Sequence, residues 1–150
     1  MTKRAGRSAD NDPQLRALID SNSDSVCLVA KTWDFHVDLA LGISLEENID
    51  AIKDSITSVR SGGKEAMIDC EHFFDGFKSN PSFSYQCIQT SIDAGAEWVI
   101  LCDTNGGTLP NEIYKIVSEV TKRFPGNKIG IHCHNDTENA VANSLSLIHI

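Results

Sequence analysis

Two histidines separated by one residue are the side chains best suited to chemistry in this sequence. His132 and His134 follow directly on the apolar run 128–131. In a β-strand, residues i and i+2 point to the same face, so both imidazoles would aim at one point while Cys133 faces the other way. This arrangement suits two ligands of a metal ion. A hydrogen-bonded pair of strand histidines is an equally common alternative for this spacing.

Four short apolar runs organise the chain around these histidines. Near-continuous apolar strands of this length are typical of a parallel sheet that is buried on both faces. Helical patterns separate the runs, and they begin at Ser44, which forms a capping box with Glu47, at Pro81 and at Pro110. The predicted strands cover 25–30, 66–70, 98–102 and 128–131, and the predicted helices 13–20, 44–61, 81–94, 110–124 and 136–150.

The alternation of helices and strands predicts an α/β fold with right-handed crossovers. The spacing of the last two repeats matches one eighth of a (β/α)₈ barrel of roughly 250 residues. The sequence therefore predicts a partial TIM barrel with four parallel strands. A flavodoxin-like open sheet has the same local order and is the alternative. The lack of a G-x-G-x-x-G or Walker motif after any run counts against its nucleotide-binding form.

Composition excludes several classes of partner. The chain has 150 residues, 41% of them hydrophobic and 23% charged, which fits one soluble α/β unit. Its net charge of −8 disfavours a nucleic-acid groove or an anionic membrane surface, so a small molecule is the expected partner. We find no membrane-spanning run and no signal-peptide pattern, and we expect a cytoplasmic protein. Residues 1–12 are expected to form a loop that can be disordered.

The five cysteines show no C-x-x-C spacing. We expect them to be small buried side chains in a reducing compartment, and neither disulfides nor zinc ligands. They are Cys27, Cys70, Cys87, Cys102 and Cys133.

Polar residues follow each of the four runs. Ligands bind at the carboxyl ends of the strands in both candidate architectures, so these residues should converge on one rim. Ordinary turn chemistry would explain Asn105-Gly106-Gly107 alone, but four polar strand ends that include His-x-His predict a metal-dependent site. The four groups are residues 31–34, 71–76, 103–107 and 132–136.

Three of these segments resemble the 2-isopropylmalate synthase and homocitrate synthase family of metal-dependent TIM barrels. They are residues 71–78, 102–110 and 132–136. The first two resemble the citramalate-forming branch in particular, whereas the third is shared across the family, which includes the hydroxymethylglutaryl-CoA lyases. The resemblance covers nearly the whole chain. It implies that residues 1–150 are the central part of one catalytic barrel domain, with strands four to seven.

The resemblance also implies a reaction. The family are acyltransferases that condense acetyl-CoA with a 2-oxo acid in a Claisen-type step and then hydrolyse the thioester. The implied oxo acid is pyruvate, which gives (R)-citramalate for isoleucine biosynthesis; 2-isopropylmalate or homocitrate synthesis, and a non-catalytic barrel remnant, are the alternatives. A divalent ion, Mn²⁺, Mg²⁺, Zn²⁺ or Co²⁺, polarises the oxo-acid carbonyl. The complete enzyme is expected to be a homodimer.

Residue roles follow from the same resemblance. His132 and His134 would supply two metal ligands, while Glu71 and Thr104 would be catalytic residues that contact the oxo acid. The remaining candidates are Lys31 and Asp103 for binding substrate, Asn135 and Asp136 for orienting the imidazoles, and Trp33 for either binding or packing.

Two parts of the family's site are missing from this sequence. The family's first strand ends in Arg-Asp, which supplies a metal ligand and stabilises the enolate, and no such dipeptide occurs here. A further metal-ligating asparagine would lie beyond Ile150. We therefore expect the 150-residue chain alone to bind metal weakly and to lack synthase activity.

Overall fold

Four parallel strands form a single sheet in the order in which they occur along the chain. The computed structural model describes all residues from 1 to 150. The strands are β1 (Ser25–Lys31), β2 (Glu65–Glu71), β3 (Trp98–Asp103) and β4 (Ile129–Cys133). The register pairs Lys31 with Glu71 and Cys102 with His132. The sequential order has no reversal point, which excludes the flavodoxin-like alternative and confirms a partial barrel.

The helices largely begin where the sequence predicts. The Ser44 Oγ accepts a hydrogen bond from the Glu47 N–H, and the Asn80 side chain accepts one from the Phe83 N–H. None of the helices is both long and apolar enough to cross a membrane. The helices are α1 (Pro13–Ile19), α2 (Asp34–His36), a π-helix (Val37–Leu41), α3 (Leu45–Ser61), α4 (Phe73–Ser79), α5 (Pro81–Asp93), α6 (Pro110–Arg123) and α7 (Ala140–Leu145), with a 3₁₀ turn at Ala9–Asn11.

The last helix is much shorter than predicted. The sequence suggested a helix from residue 136 to the end, but α7 covers Ala140–Leu145 only. Glu138 adopts a left-handed backbone conformation with φ of 62°, and the Asn135 side chain accepts a hydrogen bond from the Ala140 N–H. A left-handed residue cannot lie inside a right-handed helix, so these contacts delay the helix start.

Only one face of the sheet is covered. The helices pack on every second side chain of each strand, and these side chains make up most of the buried part of the sheet. The opposite face, which we call the inner face, is only partly buried in this chain. We call the helix-covered face the outer face. Its buried strand residues are Val26, Leu28, Ala30, Ala66, Ile68, Cys70, Val99 and Leu101.

The first twelve residues lie against the edge of the sheet. The Thr2 N–H donates to the Val29 carbonyl, at a distance of 3.0 Å. The Asp12 carboxylate is buried and accepts hydrogen bonds from the N–H groups of Arg4 and Leu15. Burial alone would raise the pKa of Asp12, but these backbone hydrogen bonds outweigh it and the pKa is lowered. Specific contacts therefore tie the predicted loop to β1 and α1.

The cysteines divide between the two faces of the sheet. All five are free thiols, and Cys70, Cys87 and Cys102 are buried as expected. Cys27 is exposed, which corrects the prediction, because it lies on the uncovered face of β1. Cys133 is half-buried on the helix-covered side of β4, where burial raises the pKa of its thiol.

Candidate functional site

Charged side chains gather on the uncovered face near the carboxyl ends of the strands. Asp69 and Glu71 are two residues apart in β2 and therefore share that face. Lys31 reaches it from β1, and His132 from β4. The same alternation that buries the outer residues thus presents ionisable groups on the inner side.

The structure brings the two histidines together. The ring centroids of His132 and His134 are 4.9 Å apart, and the ring planes are inclined by 30°. The His134 N–H donates to the Asp103 carbonyl, which extends the β3–β4 pairing beyond the end of the strand. The His132 side chain is 50% exposed. Two imidazoles therefore stack side by side at an accessible edge of the sheet.

Asp69 is the site residue that sequence reasoning missed. Its Oδ2 lies 3.1 Å from the Nδ1 of His132, while the Sγ of Cys102 lies 3.9 Å from the same nitrogen. One ligand atom from each of the three residues falls within a 4.8 Å cluster. A signal was present in the sequence, because Asp69 is a carboxylate within an apolar run and two positions before Glu71.

This cluster is unsuited to nucleophilic catalysis by the thiol. In a nucleophile–histidine–carboxylate relay, the imidazole must contact its two partners through different nitrogens. Here both Asp69 and Cys102 approach Nδ1. Burial, followed by the nearby charge of Asp69, raises the pKa of the Cys102 thiol, so the thiol stays protonated.

The donor set fits a divalent metal ion. The Asp69 carboxylate is within hydrogen-bond distance of the Nδ1 of His132, which leaves Nε2 as the nitrogen that can bind metal. His134 adds a second imidazole next to it. Protein metal sites take at least four ligands, so substrate oxygens and other protein groups would have to supply the rest.

Glu71 and Lys31 form an ion pair at the ends of the two paired strands β1 and β2. The Lys31 Nζ lies 2.6 Å from the Glu71 Oε2, and both side chains are largely buried. A buried carboxylate needs such a partner, so each residue holds the other in place. The structure thus brings together two of the predicted substrate-binding residues.

Thr104 is tied to the neighbouring strand end. Its Oγ1 accepts a hydrogen bond of 2.7 Å from the His72 N–H, which leaves the hydroxyl proton free for another acceptor. His72 has a left-handed backbone with φ of 55°. Asp75 accepts from the Asn105 side chain and lies 3.3 Å from the His72 Nδ1. These contacts fix the ends of β2 and β3 relative to each other.

Trp33 packs in an aromatic cluster beside the ion pair. Its ring centroid is 4.8 Å from that of His36, and the His36 and His72 centroids are 4.2 Å apart. Burial, and then the charges of His72 and Lys31, lower the pKa of His36. Nothing in the spacing of the sequence singled out His36, which lies in the short helix α2.

Three predicted site residues do not reach the imidazoles. Asp103 is 1% exposed and accepts hydrogen bonds from the Thr108 hydroxyl, at 2.8 Å, and the Thr108 N–H. The Asn135 side chain holds the Ala140 N–H. Asp136 packs against the loop that follows β3. These residues shape the loops around the site, and Asp103 lies on the helix-covered side of the sheet.

Comparison with known proteins decides the family. The profile of the HMGL-like family matches residues 7–149. The chain belongs to the HMGL-like family. It is 46% identical over 147 residues to the (R)-citramalate synthases of Aquifex aeolicus and Geobacter sulfurreducens. A 2-isopropylmalate synthase of Sulfolobus acidocaldarius is 30% identical over 128 residues, or 85% of this chain and 32% of that protein.

The match extends over only part of these relatives. It includes 98% of this chain but 28% of each of the two citramalate synthases. The chain therefore spans little more than a quarter of the length of those HMGL-like relatives.

Solved structures of HMGL-like proteins share the fold. The HMG-CoA lyase of Bacillus subtilis superimposes with a TM-score of 0.80 at 17% identity, over 90% of this chain and 46% of the lyase. An HMG-CoA lyase of Acinetobacter baumannii in complex with coenzyme A and 3-methylmalate gives a TM-score of 0.68 at 19% identity, over 88% of this chain and 44% of that one. The four-stranded sheet is part of this barrel fold.

Proposed function

We propose that this chain is the metal-binding part of an enzyme that condenses acetyl-CoA with pyruvate to form (R)-citramalate. The observation that carries the proposal is the stacked pair His132 and His134, with Asp69 hydrogen-bonded to His132, at the strand ends that also hold Glu71 and Thr104. The identity to (R)-citramalate synthases over nearly the whole chain supports the same reaction.

Each side chain has a distinct task in this proposal. His132 and His134 hold a divalent ion, which supplies Lewis-acid polarisation of the oxo-acid carbonyl when bound. Thr104 donates its free hydroxyl proton to the substrate carboxylate. Lys31 offsets negative charge next to Glu71, and Glu71 lines the pocket beside the reacting carbon. The residue that stabilises the enolate lies outside these 150 residues in this proposal.

Pyruvate is favoured over larger oxo acids by the comparison of relatives. The citramalate synthases named above share 46% of their aligned residues with this chain, against 30% for the 2-isopropylmalate synthase. By the same resemblance we propose that the complete enzyme is a cytoplasmic homodimer that serves isoleucine biosynthesis.

The metal-binding part of the proposal is tested by calorimetric titration of Mn²⁺ and Zn²⁺ into the purified chain. We expect weak, saturable binding that the double variant His132→Ala/His134→Ala abolishes. The exposed residue His149 offers a matched control, and His149→Ala should bind as the unaltered chain does. A folded chain that binds no metal, or a double variant that binds normally, would contradict the metal site.

The reaction is tested in the complete barrel enzyme that contains this sequence. We expect it to form product from pyruvate faster than from 2-oxoisovalerate or 2-oxoglutarate. The 150-residue chain should form no citramalate. Preference for either larger oxo acid would replace citramalate synthesis with one of the alternative reactions, and activity of the short chain would show that it needs no further residues.

A further inference from the structure

Asp69 occupies an unusual position for a carboxylate. It lies in the central part of β2 with its side chain 18% exposed. Its register neighbours are Val29 in β1 and Ile100 in β3, both apolar, so neither neighbouring side chain can donate a hydrogen bond. A largely buried carboxylate is costly unless it is hydrogen-bonded, and the Nδ1 of His132, at 3.1 Å, is one side-chain partner of Asp69.

This contact has a consequence for the protonation of the imidazole. An ionised carboxylate can only accept hydrogen bonds, so Nδ1 of a neutral His132 must carry the proton. The lone pair is then on Nε2, the ring nitrogen that does not contact Asp69. We propose that Asp69 is a positioning residue that holds His132 in the Nδ1–H form and aims Nε2 at a divalent metal ion. This inference rests on the proposed function.

The same three side chains allow a competing arrangement. A metal ion could bind directly to Asp69, Cys102 and the Nδ1 of His132, whose ligand atoms lie within 4.8 Å of one another. That arrangement needs a Cys102 thiolate as its sulfur ligand. It would also require a free lone pair on Nδ1, the nitrogen that carries the proton in the proposed site. With metal bound, the proposed site predicts the Nδ1–H form of His132, and the competing arrangement predicts the Nε2–H form.

The first test measures the tautomer without any metal. Imidazole ¹⁵N spectra of the labelled chain at pH 8 should show His132 as the Nδ1–H form. The variant Asp69→Ala should shift His132 toward the Nε2–H form, and Asp69→Asn, whose amide oxygen still accepts, should shift it less. Glu65→Gln is the matched control, because Glu65 lies on the same strand and face but pairs with Ser25. An unchanged tautomer in folded Asp69→Ala would overturn the inference.

The second test measures metal binding. Asp69→Ala should weaken Co²⁺ and Mn²⁺ binding by about 10- to 100-fold, while Glu65→Gln should not. If Asp69→Ala does not fold, Asp69→Asn should show the same change with a smaller amplitude. Equal affinity in the Asp69 variants would contradict the positioning role.

Two further outcomes separate the hypotheses. A thiolate-to-cobalt charge-transfer band that Cys102→Ser removes would overturn the proposal in favour of direct ligation by the cluster. A chain that shows the Asp69-dependent tautomer but binds no metal would support positioning by Asp69 and count against the proposed metal site.

Discussion

The two faces of the sheet differ in what their side chains do. On the outer face of β2, Ala66, Ile68 and Cys70 are completely buried beneath the helices. On the inner face, Asp69 and Glu71 remain partly exposed and bind His132 and Lys31. The alternation of a single strand thus separates residues that stabilise the fold from residues that can do chemistry.

This separation explains how a part of a barrel can hold part of a site. The outer face contributes to a core cluster of 24 buried residues that packs without help from the inner face. The inner face carries Glu71, His132 and His134 at the strand ends. In a complete barrel the interior is a packed core, so inner-face residues gain their remaining contacts from the strands that close it. Stability and site completion are therefore different properties of this chain.

The largest predicted effect comes from replacing two neighbouring residues of β2, which lie on opposite faces of the sheet, with alanine. Ile68→Ala should lower the free energy of unfolding by about 2–5 kcal/mol, because Ile68 is fully buried and the cavity would be lined by packed helices. Met67→Ala, next to it on the inner face, should cost at most about 1 kcal/mol. Urea unfolding followed by circular dichroism measures both values. Equal losses would show that the inner face is as tightly packed as the outer one.

Sequence patterns predicted the elements well because their signals are local. A serine cap marked the start of α3, and proline at the first helical turn marked the starts of α5 and α6. The length of α7 was wrong because the left-handed backbone of Glu138 depends on contacts of the loop before it. The extent of burial on the inner face could not be taken from the strands themselves, because an apolar run does not reveal whether helices or other strands cover its second face.

The candidate site was predicted in part. The spacing of His132 and His134 required only strand alternation, and the structure has both rings on one side. The same alternation would have placed Asp103 with the buried Val99 and Leu101, away from the histidines. Asp69 was overlooked because its partner is 63 positions away in sequence, a contact that only the strand register supplies.

A smaller effect is predicted for the glycines beside the histidine loop. Gly106 has a φ of +62°, and an added Cβ would lie 2.9 Å from the Asp136 nitrogen and 3.0 Å from the His134 carbonyl oxygen. Gly106→Ala should therefore lower the free energy of unfolding by about 1–3 kcal/mol, since it combines a left-handed backbone with contacts to backbone atoms. It should also weaken metal binding by displacing His134.

Gly107 provides the matched control for this prediction. Its backbone is not left-handed, and an added Cβ meets no atom within 4 Å. Gly107→Ala should change stability by less than about 0.5 kcal/mol and leave metal binding unaltered. If both alanine variants behave alike in thermal unfolding, the contact between Gly106 and the histidine loop does not hold that loop in place.

The smallest predicted effect concerns the pH dependence contributed by the rim histidine His36. Burial, with the neighbouring charges of His72 and Lys31, lowers the pKa of His36 in the folded chain. The unfolded chain, with a histidine pKa of about 6.5, then binds the proton more readily. The stability contribution of His36 is complete above that pH and is lost as the pH falls toward the folded pKa.

Unfolding by urea at pH values from 8 to 5 measures this loss. His36→Asn should flatten the fall in stability below about pH 6.5, because the group that protonates on unfolding is gone. His149→Asn should leave the profile unchanged, since His149 is exposed near the end of the chain. A His36→Asn profile that runs parallel to that of the unaltered chain would mean that His36 accepts a proton in the folded chain without penalty, although it packs against Trp33 and His72. The surroundings of His36 would then tolerate a charge as the exposed inner face of the sheet does, and would differ in this from the buried outer face.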